Sequence, residues 1–341
     1  MGQQDMTGGW QTKIIDDRVL VGERFMISFQ RTLRLPDDGK PYPLPPTLGL
    51  FPVKMVVDYA QDVPPDWSEK GGVFFPMYQR EAMWLAFETT YWKPNAVKIG
   101  VGGINAITGE AWQTGLDDNP QNYLVCPEQP WLDGINAGED IVRQFVAMPL
   151  GMGYTVEGQL TGRETVGGFQ ILVYDPKTGL FPDKPPGKPD MDPSAGMGYE
   201  YAVSFQATPM AAPAIGMGMA AGGQMKQKLY PDPHGLNAWD QESFGELFVH
   251  IVNSEQYQAI TGEMPPQAVV DAQTYSRYGF PWFELYDEAA DTLAAADKLS
   301  GVSSVRQLDE EQGLPVGEEE TPVIIKPGQI TEVDRQDKQR K

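Results

Sequence analysis

The segment PEQPWLDG, residues 127–134, puts Glu128, Trp131 and Asp133 into one short stretch. An exposed indole beside two carboxylates is the composition of a sugar-binding loop. Aromatic faces stack on the apolar faces of sugars, and paired carboxylates can share the acid and base roles of glycoside hydrolysis. The plainer reading anchors Trp131 in a core and leaves both acids in water, because few carboxylates do chemistry.

Two histidines and one cysteine complete the reactive inventory. His250 stands inside ELFVHIV, where a titrating imidazole could serve as a base. A histidine on an apolar strand is more often neutral and held by a hydrogen bond. His234 lies in PDPHG, a turn sequence, and reads as a solvated turn residue. The lone Cys126 allows no intrachain disulfide, and a zinc site of Cys and His ligands is excluded. Neither GxGxxG nor GxxxxGK[ST] occurs, so no phosphate cradle is expected. No metal or cofactor is expected.

Gly-Met strings recur, as GMGY at 151–154 and 196–199 and as GMGM at 216–219. Thioethers suit Cu(I), but no Cys or His converges on these strings. They read as tight turns whose Met packs beneath a neighbour. The run 201–225 carries no formal charge. Such a run is a core strand with a tucked loop, a subunit contact, or a membrane-inserting piece; its prolines break any standard spanning helix.

Charge narrows the partners. Lys and Arg number 26 against 47 Asp and Glu, for a net charge of -21. That balance repels phosphate backbones, so no nucleic-acid partner is expected, and an anionic membrane is disfavoured. Cationic or neutral partners fit better. The first residues, MGQQDMTGGW, lack the basic and apolar regions of a secretory signal. The expectation is a cytoplasmic protein, with leaderless release left open.

The elements that must position these residues are mostly strands. Residues 25–35 alternate with period two, with Arg31 the misfit on the apolar side. Gly102-Gly103 joins 97–101 to 104–108 as a tight hairpin, and 154–161 is expected to pair with 166–174. Residues 199–207 form a further strand, and 246–252, apolar on both sides, a central one. Helices are expected over 77–89, 254–261, 267–278 and 282–299. Residues 36–50 and 176–198 read as loops, and 307–341 as an acidic, mostly extended tail.

The fold class is therefore α+β. A mostly antiparallel body, as a sandwich or a partly closed barrel, occupies 1–253. A helical segment at 254–300 packs on it, and a flexible tail at 301–341 follows. The expected function is non-catalytic binding or self-assembly with itself or another protein. Its contacts would be Met210, Ile215, Met217 and Met219 of the uncharged run, with Ile324 and Ile325 of the tail. The alternative is a hydrolase on a neutral carbohydrate using Glu128 and Asp133, with Trp131 as platform. Membrane insertion by 201–225 is the third reading.

Overall fold

The computed structural model describes residues 10–185, 215–267, 271–285 and 291–333. The expected strand 199–207, the second GMGY and the contact residue Met210 lie outside them.

The chain is mostly antiparallel β-sheet with a few short helices. The sheet path runs through the strands Thr12–Ile15, Arg18–Val21, Phe25–Thr32, Ala82–Glu88, Ile141–Pro149, Gly216–Lys226, Trp239–Asn253, Phe169–Pro176 and Asn95–Val101, ending on Ile104–Asn105. Val73–Met77 joins Trp239–Asn253 as a parallel partner. The path does not close into a barrel among the described residues. It does fold over on itself. Phe145 and Phe169 meet edge-on at 5.3 Å, although two other strands lie between theirs in the path. Trp10, just before the first strand, donates its Nε1–H to Ser243 Oγ at 3.1 Å. One main core collects the inward side chains of both wings, among them Phe29, Leu85, Phe145, Ile171, Leu247 and Ile99.

Several local readings stand. The Asn95–Val101 strand turns at Gly102 and Gly103, both at positive φ, as a two-residue hairpin requires. Trp239–Asn253 is central, bonded to Gly216–Lys226, Phe169–Pro176 and Val73–Met77. Ser254–Thr261 is a helix, with Asn253 capping its start and Gly262 in the left-handed region at its end. Arg31 is reconciled by pairing. Its guanidinium meets Glu81 at 2.8 Å and lies over the Phe51 ring.

Others are corrected. Residues 77–89 are not a helix, since Ala82–Glu88 is a strand. Met83, Leu85 and Phe87 face the main core, and Trp84 faces a second cluster with Leu44, Trp131 and Phe283. A segment buried on both faces loses its alternation, and its period misleads. Residues 154–161 are not a hairpin strand, since Val156–Thr161 is a helix whose N-cap Thr155 accepts a bond from Gly158. Of the expected helix at 282–299, Trp282–Leu285 is a strand and only Asp297–Ser300 is helical among the described residues. The helix at 267–278 shortens to Ala272–Arg277, started by Asp271.

The Gly-Met strings do different jobs. Gly151 and Gly153, both at positive φ, donate their N–H groups to Glu164 at 2.5 and 2.9 Å, and Met152 is exposed rather than packed away. Burial opposes the charge on Glu164, but these bonds and those from Thr155 hold its carboxyl below the ordinary range. In GMGM, Met217 and Met219 point into the core. A Cβ on Gly218 would come within 2.8 Å of the Thr155 side chain. Met217 and Met219 therefore present no contact surface, which corrects that expectation. The described end of the uncharged run, 216–225, is a central strand, and no helix among the described residues is long and apolar enough to cross a membrane.

The expected extended tail lies against the body up to Val333. Val305–Glu311 is a helix with a capping box from Ser304 and Gln307. Arg80 holds Asp309 in a two-pronged ion pair at 2.7 and 2.8 Å, and Arg34 pairs with Glu320 and, at 3.3 Å, with Glu319. Body arginines thus neutralise acids that composition assigned to solvent.

Candidate functional site

Glu128 follows the short strand Leu124–Cys126, which pairs with Asn95–Val101. The loop from Gln227 to Ala238 runs back over this region. Two glutamine side chains clamp it: Gln129 accepts from the Tyr230 N–H at 3.1 Å, and Gln121 from the Asp232 N–H at 2.8 Å. Amide side chains satisfy buried backbone groups where no strand partner exists.

Asp232 is the node of this loop. Its carboxylate accepts from the Tyr123 hydroxyl at 2.6 Å, the Trp239 Nε1–H at 2.8 Å and the His234 backbone N–H at 2.7 Å. Burial and Asp232 together push the Tyr123 hydroxyl well above its ordinary range, so it remains a donor. The His234 ring is thereby set between Phe181 and Trp239, edge-on to both at 5.0 and 5.9 Å. Its Nε2 stands 3.7 Å from Glu128 Oε1. That distance is an electrostatic contact, longer than a hydrogen bond. The other Glu128 oxygen is buried and accepts no hydrogen bond among the described residues. The result is a half-buried acid and imidazole between aromatic walls.

The sequence-derived residues divide sharply. Glu128 is half-buried and stands in this cluster. Trp131 is only 2% exposed and packs edge-on against Trp84 at 6.5 Å, so it offers no platform to a sugar. Asp133 is 1% exposed, with its backbone N–H bonded to Gln227. As folded, Glu128 and Asp133 do not both face solvent. His250 stacks on Trp67 at 4.6 Å, with Nε2 3.0 Å from the Gly71 carbonyl. Burial pulls its pKa down to about 4, so a neutral ring donates to Gly71 at neutral pH. No grouping of His, Cys, Asp and Glu among the described residues could hold a metal.

Sequence reasoning missed His234, Asp232 and Tyr123. The Asp-Pro-His order does signal a side-chain-stabilised turn. The approach of Tyr123 and Glu128 to it joins segments over a hundred residues apart, which no local pattern carries.

The second feature is a surface one. Trp282–Leu285 and Ile330–Val333 form a small parallel ribbon, tied to the body where Leu44 and Phe283 exchange two backbone bonds. Gln329 donates to the carbonyls of Ser276 and Phe280, and Ser276 donates to the Ile324 carbonyl. Tyr278 and Phe280 lie 6.2 Å apart, and the Ser276 bond brings the Ile324 backbone beside their segment; the three side chains are exposed by 71%, 44% and 82%. Ile325 is partly buried against the core, and Ile215 is exposed. On the ribbon Glu284 and Glu332 are direct register partners.

Comparison with protein-family models, with curated proteins and with solved structures finds no match to this chain.

Proposed function

We propose that this chain is a non-catalytic binding protein that docks a cationic polypeptide carrying apolar side chains. The observation that carries the reading is the exposed grouping of Tyr278, Phe280 and Ile324 on a body whose other large side chains are mostly buried. Exposed aromatic and aliphatic side chains gathered in one place are the usual core of a contact surface. Charge supports a cationic occupant. The net charge is -21, and Glu284 and Glu332 stand in register on the ribbon, Glu284 with Lys226 at 3.9 Å. A second copy would carry the same net charge, which like-charge repulsion opposes.

The test is fluorescence anisotropy with a labelled amphipathic peptide of Lys and Leu at physiological salt, where long-range attraction is screened. Wild type is expected to bind. Ile324→Glu combined with Tyr278→Ser is expected to weaken binding by at least about tenfold, the scale of one or two anchor residues. Equal affinity for the variant counts against the reading.

One observation favours a second reading, the proximity of Glu128 to His234. A hydrolase acting on a neutral carbohydrate would use Glu128 as acid or base, with His234 in place of the buried Asp133. Under that reading Glu128→Gln is expected to abolish turnover on a glycoside panel by about a hundredfold or more while the melting temperature stays put. A wild-type protein inactive across the panel removes it.

A further inference from the structure

Lys98 sits on the outer face of the Asn95–Val101 strand, opposite the side that feeds the main core. It is 1% exposed. Its Nζ donates to the Gly115 carbonyl at 2.5 Å and lies over the Trp112 ring, 5.7 Å from its centroid. It also borders a small cleft of about 70 Å³, whose walls include Asn105, Gln113, Asp117 and Asn122. A water needs roughly 10–15 Å³, so the cleft has room for about five non-hydrogen atoms.

A buried lysine in a cleft has two uses. It can hold a loop, or its neutral form can attack an electrophile. The Gly115 carbonyl, the Trp112 face and the nearby Asp117 all favour a cation at Nζ. A product that keeps the charge is therefore accommodated, and one that reverses it, such as a carbamate, is not.

We propose that Lys98 is a capture site for small aldehydes, forming a protonated imine in this cleft. The ammonium first loses a proton to solvent. The Nζ lone pair then attacks the carbonyl carbon, the carbonyl π bond breaks as its oxygen takes up a proton, and Nζ sheds a proton to solvent to give the neutral carbinolamine. The carbinolamine C–O bond breaks next, and the oxygen leaves as water with a second proton. A C=N bond carrying one proton remains, so ammonium and aldehyde give iminium and water. Burial supports the first step, lowering the amine pKa to about 8 against the pull of Asp117.

The test treats the full chain with glycolaldehyde and cyanoborohydride at pH 7, then quantifies each modified lysine by peptide mass spectrometry. Cyanoborohydride supplies hydride to the imine carbon and fixes it as a secondary amine. Lys98 is expected to be modified at least about tenfold faster than the exposed Lys40 and Lys226, as a lower amine pKa implies. Its rate is expected to rise to a plateau with a midpoint near pH 8. Pyridoxal phosphate, too large for the cleft, is expected to spare Lys98. Modification no faster than at Lys40, or equal labelling by pyridoxal phosphate, overturns the proposal. Lys98→Arg should keep the cation and the loop contact, so a folded Lys98→Arg protein with an unchanged total fast-labelling yield also overturns it.

Discussion

Glu320→Ala is expected to destabilise the protein by about 3–5 kcal/mol, the cost of leaving a buried charge without its partner. Arg34 is the charge in question. Its side chain is 6% exposed and that of Glu320 is 1% exposed. Arg34 Nε is already buried without a partner among the described residues, so the guanidinium has little in reserve. Glu319 lies 3.3 Å away but is also shared with Arg80 at 3.4 Å. Replacing both partners, Arg34→Met with Glu320→Leu, is expected to recover most of the loss, because a well-packed apolar pair can equal a buried ion pair. Urea midpoints at unchanged slope measure all three proteins. A cost under about 1 kcal/mol for Glu320→Ala, the scale of a surface pair, means that the 302–333 segment is not locked to the body this way.

The same lock sets a pH response. Burial works against the Asp309 carboxylate, but bonds from Arg80 and Tyr154 outweigh it and hold its pKa below 3.8. A depressed folded pKa gives stability that is complete above the unfolded value. It is lost as pH falls through the folded one. Loosening of the 302–333 segment is therefore expected only below about pH 4, on this linkage.

Gly168→Ala carries the second large effect. Gly168 has φ +50°, and an added Cβ would fall 2.0 Å from the Val249 carbonyl oxygen of the central strand. Backbone in a sheet cannot yield as a side-chain tip can. The expected loss is about 2–5 kcal/mol, summing the positive-φ cost for an L-residue and an overpacking cost. Gly162 is the control. It has φ +72° but nothing within 4 Å of the added atom. Gly162→Ala is expected to cost only about 1–2 kcal/mol. Equal losses in thermal melts of the two variants sink the argument from close approach.

What the sequence makes legible is local. Gly102-Gly103 states its hairpin because only positive φ at both positions closes it. Ser254–Thr261 states its helix through Ser254 at its start and Gly262 at its end. The strand Ala82–Glu88 stays hidden because both of its faces are buried, and a strand buried twice shows no alternation. Arg31 looks like an error of register until Glu81 appears opposite it. Glu128 is recognisable as a candidate from its neighbours in sequence, yet its actual neighbour is His234. Lys98 lies in the hairpin strand legible at 97–101, and only the covering loop with Trp112 and Gly115 makes it a buried amine. Pairing across long separations decides each of these cases, and composition is blind to it.

Hydrogen exchange of the intact chain, with and without the Lys/Leu peptide, tests the binding account most directly. Protection is expected at 275–280 and 321–333, around Tyr278, Phe280 and Ile324, with 121–133 and 227–239 unchanged. Protection around Glu128 and His234 instead, or none at 275–280, contradicts the account.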